Sequence, residues 1–458
     1  MPVLSASQAG LPESLRTAPR RFMPRFGFAW RPFNNNKTVL RGGYSFYNTE
    51  VLGSIYYALT GTLQAATFTY NNSITNGVPA IQWPNVKTGG SGISVPPAGT
   101  DYFGTANQID YKDPYSEQWN FSIDHDLGFN TGLRLSYIGM ATRDLVWAPN
   151  LNQSTYSTTY YVDQPLSSRP FPNWGTINTR ANGANANYNA FQIEVNHRYK
   201  SGITFNSAYT FAKADADNQG YTADHFADEN AGHRTMDALD RAAEYGPVYG
   251  TRRNRWITSA IYELPVGRGR QFGSSMNRFA DAIVGGWQLS TIFLWQGGPS
   301  LTPYFDGGDP SGTGSGVIGR DQAPDVIGNP NLSNPTAAQW FNVGAYTCPA
   351  TPGWKPGTKC LIGTPGNGAP IGRFGDAGMG LVTGPGTVNL NAGLAKRFAL
   401  TERVKIKVEG SFTNALNHLN LANPVLAITS PSVGQITSAR PADFGGNRTG
   451  QVGARVEF

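Results

Sequence analysis

Alternation of apolar and polar residues recurs in short segments along this chain. In the last segment, residues 451–458, every second residue is apolar, namely Val452, Ala454, Val456 and Phe458. Successive side chains of a β-strand point to opposite faces, so the segment predicts a strand with one apolar and one polar face. An aromatic residue at the very end of such a face indicates a C-terminus fixed at a lipid or aromatic boundary, whereas most soluble domains fray there.

The same pattern predicts about eleven strands, joined by connections that alternate between short and long. The predicted strands are residues 25–31, 38–47, 117–127, 133–140, 190–199, 203–213, 255–264, 287–296, 387–398, 404–413 and 451–458. Residues 48–116, 146–187 and 297–386 lack clean alternation and are predicted to be loops. The connection 265–285 is long for its class, and its residues 279–284 suggest one helical turn.

The alternation of loop lengths places every short connection at one end of the strands and every long connection at the other. A transmembrane β-barrel has this arrangement, with short periplasmic turns and long extracellular loops. The pattern of any single strand also fits a soluble β-sandwich. A sandwich, however, gives no reason for short and long connections to lie at opposite ends of the strands. The predicted fold class is therefore all-β, an antiparallel transmembrane β-barrel.

The composition agrees with a β-rich protein with long loops. Charged residues make up 14% of the 458 residues, and there are 55 glycines. The net charge of +6 comes from scattered basic residues, so no nucleic-acid footprint is evident. No apolar run reaches 18 residues, which argues against a transmembrane helix. Residues 1–20 contain no signal-peptide pattern, so we expect the chain to be a fragment of a longer protein.

The strand pattern also assigns individual side chains to the two faces. For the apolar, lipid-facing side we predict an aromatic girdle of Trp30, Trp119, Trp256, Trp287 and Trp295. For the polar, lumen-facing side we predict Arg41, Asp124, Arg134, Glu194, Lys405, Lys407, Glu409 and Arg455. Charged residues of this kind suit a water-filled barrel interior, whereas the interior of a sandwich is dry.

Two cysteines, Cys348 and Cys360, lie in a Gly/Pro-rich segment. We favour a disulfide between them, because no histidine or further cysteine lies nearby in sequence to complete a metal site. Two free thiols and a metal pair remain the alternatives.

Chemistry-bearing motifs are weak. Residues 314–319 match G-x-G-x-x-G but lie in a loop with no preceding strand, so no dinucleotide cofactor is predicted. Residues 215–220 resemble a calcium loop, yet Phe226 stands where a bidentate Glu belongs. His225 and His233 share a loop with two acidic residues and are predicted to be surface residues rather than ligands. We expect no enzymatic activity, no cofactor and no resident metal.

Several stretches resemble the Oar-like branch of TonB-dependent outer-membrane receptors, in a consistent order along the chain. They include residues 24–29 and 38–44, 114–120, 135–139, 188–192, 209–213, 263–269, 285–289, 409–418 and the terminal Phe458. The resemblance implies a 22-stranded barrel that encloses a plug and draws energy from an inner-membrane TonB complex. It also implies recognition of the terminal strand, through Val452, Ala454, Val456 and Phe458, by the barrel-assembly machinery.

We expect the chain to lack the plug, the TonB box and about half of the strands that the family implies. We therefore expect residues 1–24 to be the remnant of an extracellular loop and residues 25–458 to be part of an outer-membrane β-barrel domain. The expected partners are outer-membrane lipid, the barrel-assembly machinery and, only if plug and box are present, the TonB complex. No nucleic-acid partner is expected.

Three functions remain open on the sequence. The first is the barrel portion of a TonB-dependent transporter, with substrate contacts in the lumen and the extracellular loops. The second is a passive outer-membrane pore or an adhesin-like surface barrel without energy coupling. The third is a soluble β-rich binding protein. Loop composition does not distinguish chelated iron, glycan, peptide or exported protein as the substrate.

Overall fold

In the computed structural model of the protein, eleven ranges of the chain are described, together with residues 8 and 10. The ranges are residues 22–34, 36–48, 74–79, 103–108, 111–147, 149–217, 237–248, 250–315, 321–399, 404–441 and 445–458. The predicted loop remnant 1–24 lies almost wholly outside these ranges, as do His225, His233 and most of the 48–116 loop. Within them, no helix has the length and apolarity needed to cross a bilayer.

A single large antiparallel sheet organises the described residues, and eleven of its strands follow one another in chain order. These strands are β1 (Arg25–Trp30), β2 (Thr38–Asn48), β3 (Tyr115–Gly128), β4 (Thr131–Trp147), β5 (Ile177–Lys200), β6 (Ile203–Ala216), β7 (Asn254–Glu263), β8 (Trp287–Gln296), β9 (Thr387–Ala399), β10 (Lys405–Thr413) and β11 (Thr449–Glu457). Each pairs with the next, and β1 and β11 are the two edges. The sheet is therefore not closed into a barrel by the described residues.

Short elements complete the described architecture. Phe103–Asn107 pairs parallel with β5, and Gly246–Pro247 pairs with β6. Two-residue ladders join Ile74–Thr75 to Val78–Pro79, Ser300–Leu301 to Val382–Thr383, and Asp325–Val326 to Tyr346–Thr347. The helices are α1 (Arg278–Val284) and the 3-10 turns Tyr161–Asp163, Leu166–Ser168, Arg241–Glu244 and Val343–Ala345.

Two strands are longer than the alternation predicts. β5 begins at Ile177, so part of the predicted loop 146–187 is strand, and β4 extends to Trp147. The extra residues of β5 are rich in Asn, Ala and Gly, and their pairing with β4 contains register shifts. Several of these residues are buried although they are small or polar, namely Thr179, Ala181 and Ala184, so this extension carries no period-two apolar signal.

The connections sort to the two ends of the sheet as the loop lengths predict. We call the end that carries residues 149–176, 237–248, 297–386 and 414–441 the long-loop end, and the opposite end the short-turn end. At the short-turn end, β3 and β4 are joined through Phe129 and Asn130, both with positive φ. A two-residue turn in which both residues have positive φ matches the twist of the flanking antiparallel strands, which explains this tight hairpin.

The main buried hydrophobic cluster lies in the long connections, outside the sheet. It consists of Leu301, Phe305, Phe341, Ala345, Tyr346, Cys348, Cys360, Ile362, Val382 and Ile428. Nine of these residues come from the connection β8–β9 and one from β10–β11. We call the packed long connections the cap. The Gly/Pro-rich segment 297–386, predicted as an irregular loop, thus has a hydrophobic core of its own.

Candidate functional site

One face of the sheet is apolar along all eleven strands, and strand pairing keeps it continuous. Phe121 lies opposite Tyr137, which lies opposite Phe191, which lies opposite Phe211. Many large apolar side chains on this face are exposed to solvent, including Phe26, Trp30, Phe191, Phe211, Leu394, Val452 and Val456. We call it the apolar face. An exposed apolar surface of this extent requires an apolar partner.

The predicted aromatic girdle lies on the apolar face and divides between its two ends. Trp256 is paired directly with Trp295, close to the long-loop end, and Trp119 lies in the same position on β3. Trp30 ends β1 and Trp287 begins β8, both at the short-turn end. Tryptophan at both margins of an apolar band is typical of a membrane-spanning barrel.

The opposite face, which we call the polar face, carries a row of ionic and amide groups across β2 to β6. Asp124 accepts hydrogen bonds from the Nε atoms of Arg41 at 2.8 Å and Arg134 at 2.5 Å. Arg134 Nη1 lies 3.9 Å from Glu194 Oε2, and Glu194 Oε1 accepts from Asn206 Nδ2 at 3.0 Å. These groups are partly exposed, so the row leaves a wet, hydrogen-bonding surface.

A cleft of about 750 Å³ runs along the middle of the polar face. Neutral polar side chains contribute much of its lining, namely Asn196, Asn206, Ser259, Ser290 and Asn391. Ile261 and Ile292 lie among them and are 41% and 49% exposed. The cleft therefore offers neutral hydrogen-bonding groups and the charged Arg198 beside a small apolar patch.

A third group of polar-face residues lies toward the short-turn end of β9, β10 and β11. Lys407 is paired directly with both Arg397 and Arg455, so three positive side chains adjoin across three strands. Like charges directly opposite one another destabilise a sheet. Glu409 lies 2.5 Å from Lys407 Nζ, and Glu457 lies 3.6 Å from Arg397 Nε, which offsets part of this repulsion.

The cap is held together by side chains that bridge different connections. Gln153 Nε2 and Tyr156 OH both donate to Asp237, at 2.9 and 2.6 Å. Gln164 Nε2 donates to the carbonyl of Gly312 at 2.6 Å, which ties the β4–β5 connection to the β8–β9 connection. Burial and the hydrogen bond to Asp237 raise the pKa of Tyr156. These contacts make the cap one packed body.

Two further contacts fix the β8–β9 connection itself. Cys348 and Cys360 form a disulfide, and both are buried in the cap core. Arg373 binds Asp325 with two parallel hydrogen bonds of 2.7 and 2.8 Å. Burial alone would raise the pKa of Asp325, but the hydrogen bonds from Arg373 hold the pKa below its usual value. Burial raises the pKa of Tyr346 beside the disulfide.

No cluster of His, Cys, Asp and Glu that could hold a metal occurs within the described ranges. The calcium-like stretch begins at Asp215 and Asp217, and its last three residues lie outside those ranges. Asp217 itself is bonded to Arg241 Nε at 3.0 Å and to the backbone of Asn185 at 2.6 Å. Its carboxylate therefore serves the packing of the cap.

The sequence pattern of the outer membrane beta barrel domain matches residues 3–451 of the chain. The protein belongs to this family. Its localisation is accordingly the outer membrane. No curated protein sequence matches the chain.

Solved structures of outer-membrane proteins resemble the chain at low identity. They include the outer membrane transporter YddB from Escherichia coli, with 10% identity and a TM-score of 0.47. The ferric enterobactin receptor PfeA from Pseudomonas aeruginosa, as a mutant, has 8% identity and a TM-score of 0.41. Each match covers 95% of this chain and 40% of the other protein, so the chain spans about two fifths of their length.

The predicted lumen-facing residues all share the polar face, yet they fall into two separate groups. Arg41, Asp124, Arg134 and Glu194 form the row on β2 to β5, and the remaining four lie on β10 and β11. Their contact with the lumen, like that of the girdle with lipid, stays a prediction. The sequence pattern missed the cleft between the two groups, because Ile261 and Ile292 do not fit a purely polar face.

Proposed function

We propose that the chain is part of the barrel of an Oar-like TonB-dependent transporter. In this proposal the long-loop end is extracellular, the short-turn end is periplasmic, and the polar face lines the path of the substrate. The observation that carries the proposal is the separation of apolar and polar side chains onto opposite faces of all eleven strands in register. One face is then adapted to lipid and the other to water.

The polar face supports passage of a polar solute without chemical conversion. Its central cleft is lined by amides and hydroxyls, which exchange hydrogen bonds with a passing ligand at little net cost. The ionic row on one side and the basic group on the other are mostly paired, and Arg198 also lines the cleft. We therefore propose that the ligand has a polar portion that forms hydrogen bonds with these amides and hydroxyls.

The cap supports ligand contact at the extracellular end. It has a buried core, a disulfide and bridging hydrogen bonds, so it presents a preorganised surface rather than flexible loops. A preorganised binding surface loses less conformational entropy when a ligand binds. This is the property that capture of a dilute extracellular ligand requires.

The direction of the edge strands supports the proposal that the sheet is half of a 22-stranded barrel. Along the eleven-strand path every neighbour is antiparallel, so β1 and β11 run in the same direction. Direct pairing of these edges would be parallel, whereas an inserted odd number of strands closes the barrel with antiparallel pairs throughout. A further eleven strands meet that condition, and bacterial single-chain barrels have even strand numbers.

A passive pore or an adhesin-like barrel is the alternative function. It is favoured by the many uncharged polar residues that line the cleft, which also suit passive diffusion of polar solutes. In either case, we propose that the barrel-assembly machinery recognises β11 and that the TonB complex is a partner only of a chain with plug and box.

Dependence on energy separates the two functions. A strain that lacks the gene is complemented with the natural full-length chain and supplied with ferric chelates, oligosaccharides or peptides as the limiting nutrient. We expect growth that is lost on addition of a protonophore or deletion of TonB. Growth that survives both treatments would favour the passive pore.

A further inference from the structure

The connection between β7 and β8, residues 264–286, differs from the tight hairpins at the same end of the sheet. It contains α1, whose first turn is capped by Asn277 Oδ1 accepting from the Ala280 backbone at 2.8 Å. Phe279 and Ile283 lie one helical turn apart, so they share one face of α1. They are 78% and 56% exposed, and Phe272 in the same connection is 57% exposed. More than half of the surface of each of these apolar side chains is therefore exposed.

Lys396 fixes the end of α1 against the apolar face of the sheet. Its side chain lies on that face, since Lys396 is paired with Trp287 and Val408. The ammonium donates to the carbonyl of Ile283 at 3.0 Å and of Gly285 at 2.6 Å, and the residue is only 3% exposed. A cation at a helix C-terminus is stabilised by the aligned carbonyls, so a lysine on a lipid-facing surface is tolerated here.

Trp287 adds a second link between α1 and the apolar face. Its Nε1 atom donates to the carbonyl of Ile283 at 3.0 Å, and its ring lies 5.2 Å from the Lys396 ammonium. Trp287 is the residue at which β8 enters the apolar face from the short-turn end. The helix therefore lies beside the margin of the lipid-facing surface and continues that surface past the strand ends.

Basic residues accompany the exposed apolar side chains. Arg268 and Arg278 are exposed and make no salt bridge within the described ranges, whereas Arg270 is paired with Glu263 at 3.3 Å. The Arg268 backbone donates to Asp281 Oδ1 at 2.8 Å, which holds this basic turn against α1. Apolar side chains combined with arginine on a short helix are typical of a segment that lies in an anionic membrane interface.

We propose that residues 264–286 form an interfacial anchor in the periplasmic leaflet of the outer membrane. Phe272, Phe279 and Ile283 enter the acyl region, and Arg268 and Arg278 contact phosphates of anionic phospholipid. Continuity with the lipid-facing surface and the positive charge favour phospholipid over a second copy of the chain. The assignment of the anchor to the periplasmic leaflet rests on the orientation given under the proposed function. Membrane binding by the anchor does not depend on transport.

Depth-dependent quenching tests the anchor. Because Cys348 and Cys360 are joined, Cys introduced by Ile283→Cys is the single free thiol and takes an environment-sensitive fluorophore. The labelled chain is folded into phosphatidylethanolamine/phosphatidylglycerol vesicles whose acyl chains carry bromine near the headgroup. We expect blue-shifted emission and at least twofold quenching. Ile327→Cys, an exposed position in the cap, is the control and should show neither effect.

The result that overturns the proposal is an Ile283 label that is no more quenched than the Ile327 label. A label shielded from water but not quenched by brominated lipid would indicate contact with a second copy and would also overturn it. If Ile283→Cys does not fold, Phe279→Cys gives the same test. The double variant Arg268→Gln/Arg278→Gln should reduce quenching in anionic vesicles to the value in phosphatidylcholine, and unchanged quenching would overturn the headgroup contact.

Discussion

At the residue scale, glycines on the apolar face are covered by aromatic rings from the neighbouring strand. Gly139 lies directly opposite Trp119, and a Cβ at Gly139 would overlap the indole ring. Gly42 stands in the same relation to Phe28. A ring that lies over a glycine shields the strand backbone that the missing side chain leaves bare. These pairs explain why glycine interrupts an otherwise apolar row.

The variant Gly139→Val should destabilise the folded chain by about 1–3 kcal/mol, because Trp119 must leave its position over β4. The measurement is the urea midpoint of the chain in vesicles, followed by its heat-modifiable migration. Gly132→Val on the same strand is the matched control, since a Cβ there meets no atom within 4 Å. Equal midpoints for the two variants would contradict the close approach of Trp119.

The ion pair between Asp325 and Arg373 should make the stability of the cap depend on pH. The pKa of Asp325 is lowered in the folded state, so the pair stabilises the cap above the unfolded pKa of Asp, about 3.9. That contribution is lost as the pH falls through the lowered value. Asp325→Asn should therefore raise the rate of proteolysis of the cap at pH 7. An acid-stable protease should show the difference shrinking as the pH falls below about 3.9, and a constant difference would argue against the pair.

At the element scale, the apolar residues of a strand lie mainly on one face and the polar residues on the other, and strand pairing decides which face an exception occupies. β8 shows this most clearly, because Leu289, Phe293 and Trp295 are on the apolar face while Ser290 and Ile292 are on the polar face. Hydrophobicity alone does not distinguish Ile292 from its neighbours. The pairing with Ser259 and Asn391 places Ile292 in the cleft.

Lysine substitutions on opposite faces should separate lipid contact from lumen contact. Ile292 is paired with Asn391, the neighbour of Leu390, so Ile292 and Leu390 lie at nearly the same depth on opposite faces. Leu390→Lys should destabilise the inserted chain by about 2 kcal/mol, whereas Ile292→Lys should have little effect. Folding yield and urea midpoint in vesicles are the measurements. A larger loss for Ile292→Lys would reverse the assignment of the faces.

The disulfide should stabilise the cap without being required by the sheet. Cys348 and Cys360 are separated by 12 positions, and closing a loop of this size contributes about 3 kcal/mol. Cys348→Ser/Cys360→Ser should increase cleavage within residues 297–386 and leave the heat-modifiable band in place. Reduction of the unchanged chain with dithiothreitol should reproduce this cleavage pattern. Loss of the band in either sample would show that the sheet also depends on the disulfide.

At the scale of the whole molecule, the two edge strands decide whether the sheet closes. Among the described residues, β1 and β11 present backbone groups without a strand partner on one side, and such edges invite pairing with another strand. The proposed half barrel gives each edge a neighbour from a further segment. The same direction of β1 and β11 excludes antiparallel closure of this path on itself.

Amide hydrogen exchange should show whether the edge strand β11 is paired with a further strand. In the chain alone, we expect amides of Thr449–Glu457 to exchange much faster than those of β5 and β6, which have partners on both sides. In vesicles, once the further strands of the proposed half barrel are supplied, the β11 amides should become as protected as those of β6. Fast exchange of β11 in both samples would contradict the proposed half barrel.

Much of the sheet was predictable because it depends on local alternation. In the segments 287–296 and 404–413 every second side chain lies on the same face. The corresponding strands are Trp287–Gln296 and Lys405–Thr413. The polar row of Arg41, Asp124 and Arg134 was predictable as a shared face for the same reason. The start of β5 at Ile177 was not, since its buried residues include the small or polar Thr179, Ala181 and Ala184, which give no apolar alternation.

The sequence by itself determined most of the strands, the two faces and the sorting of loops, because each of these depends on residues that are close together in sequence. Only the tertiary structure decided how distant segments meet. It brought Ile428 from one connection into the core formed by another, Lys396 onto the end of α1, and Ile261 beside Ile292 in the cleft. These contacts depend on strand register and on packing between loops, and neither leaves a periodic signal in the sequence.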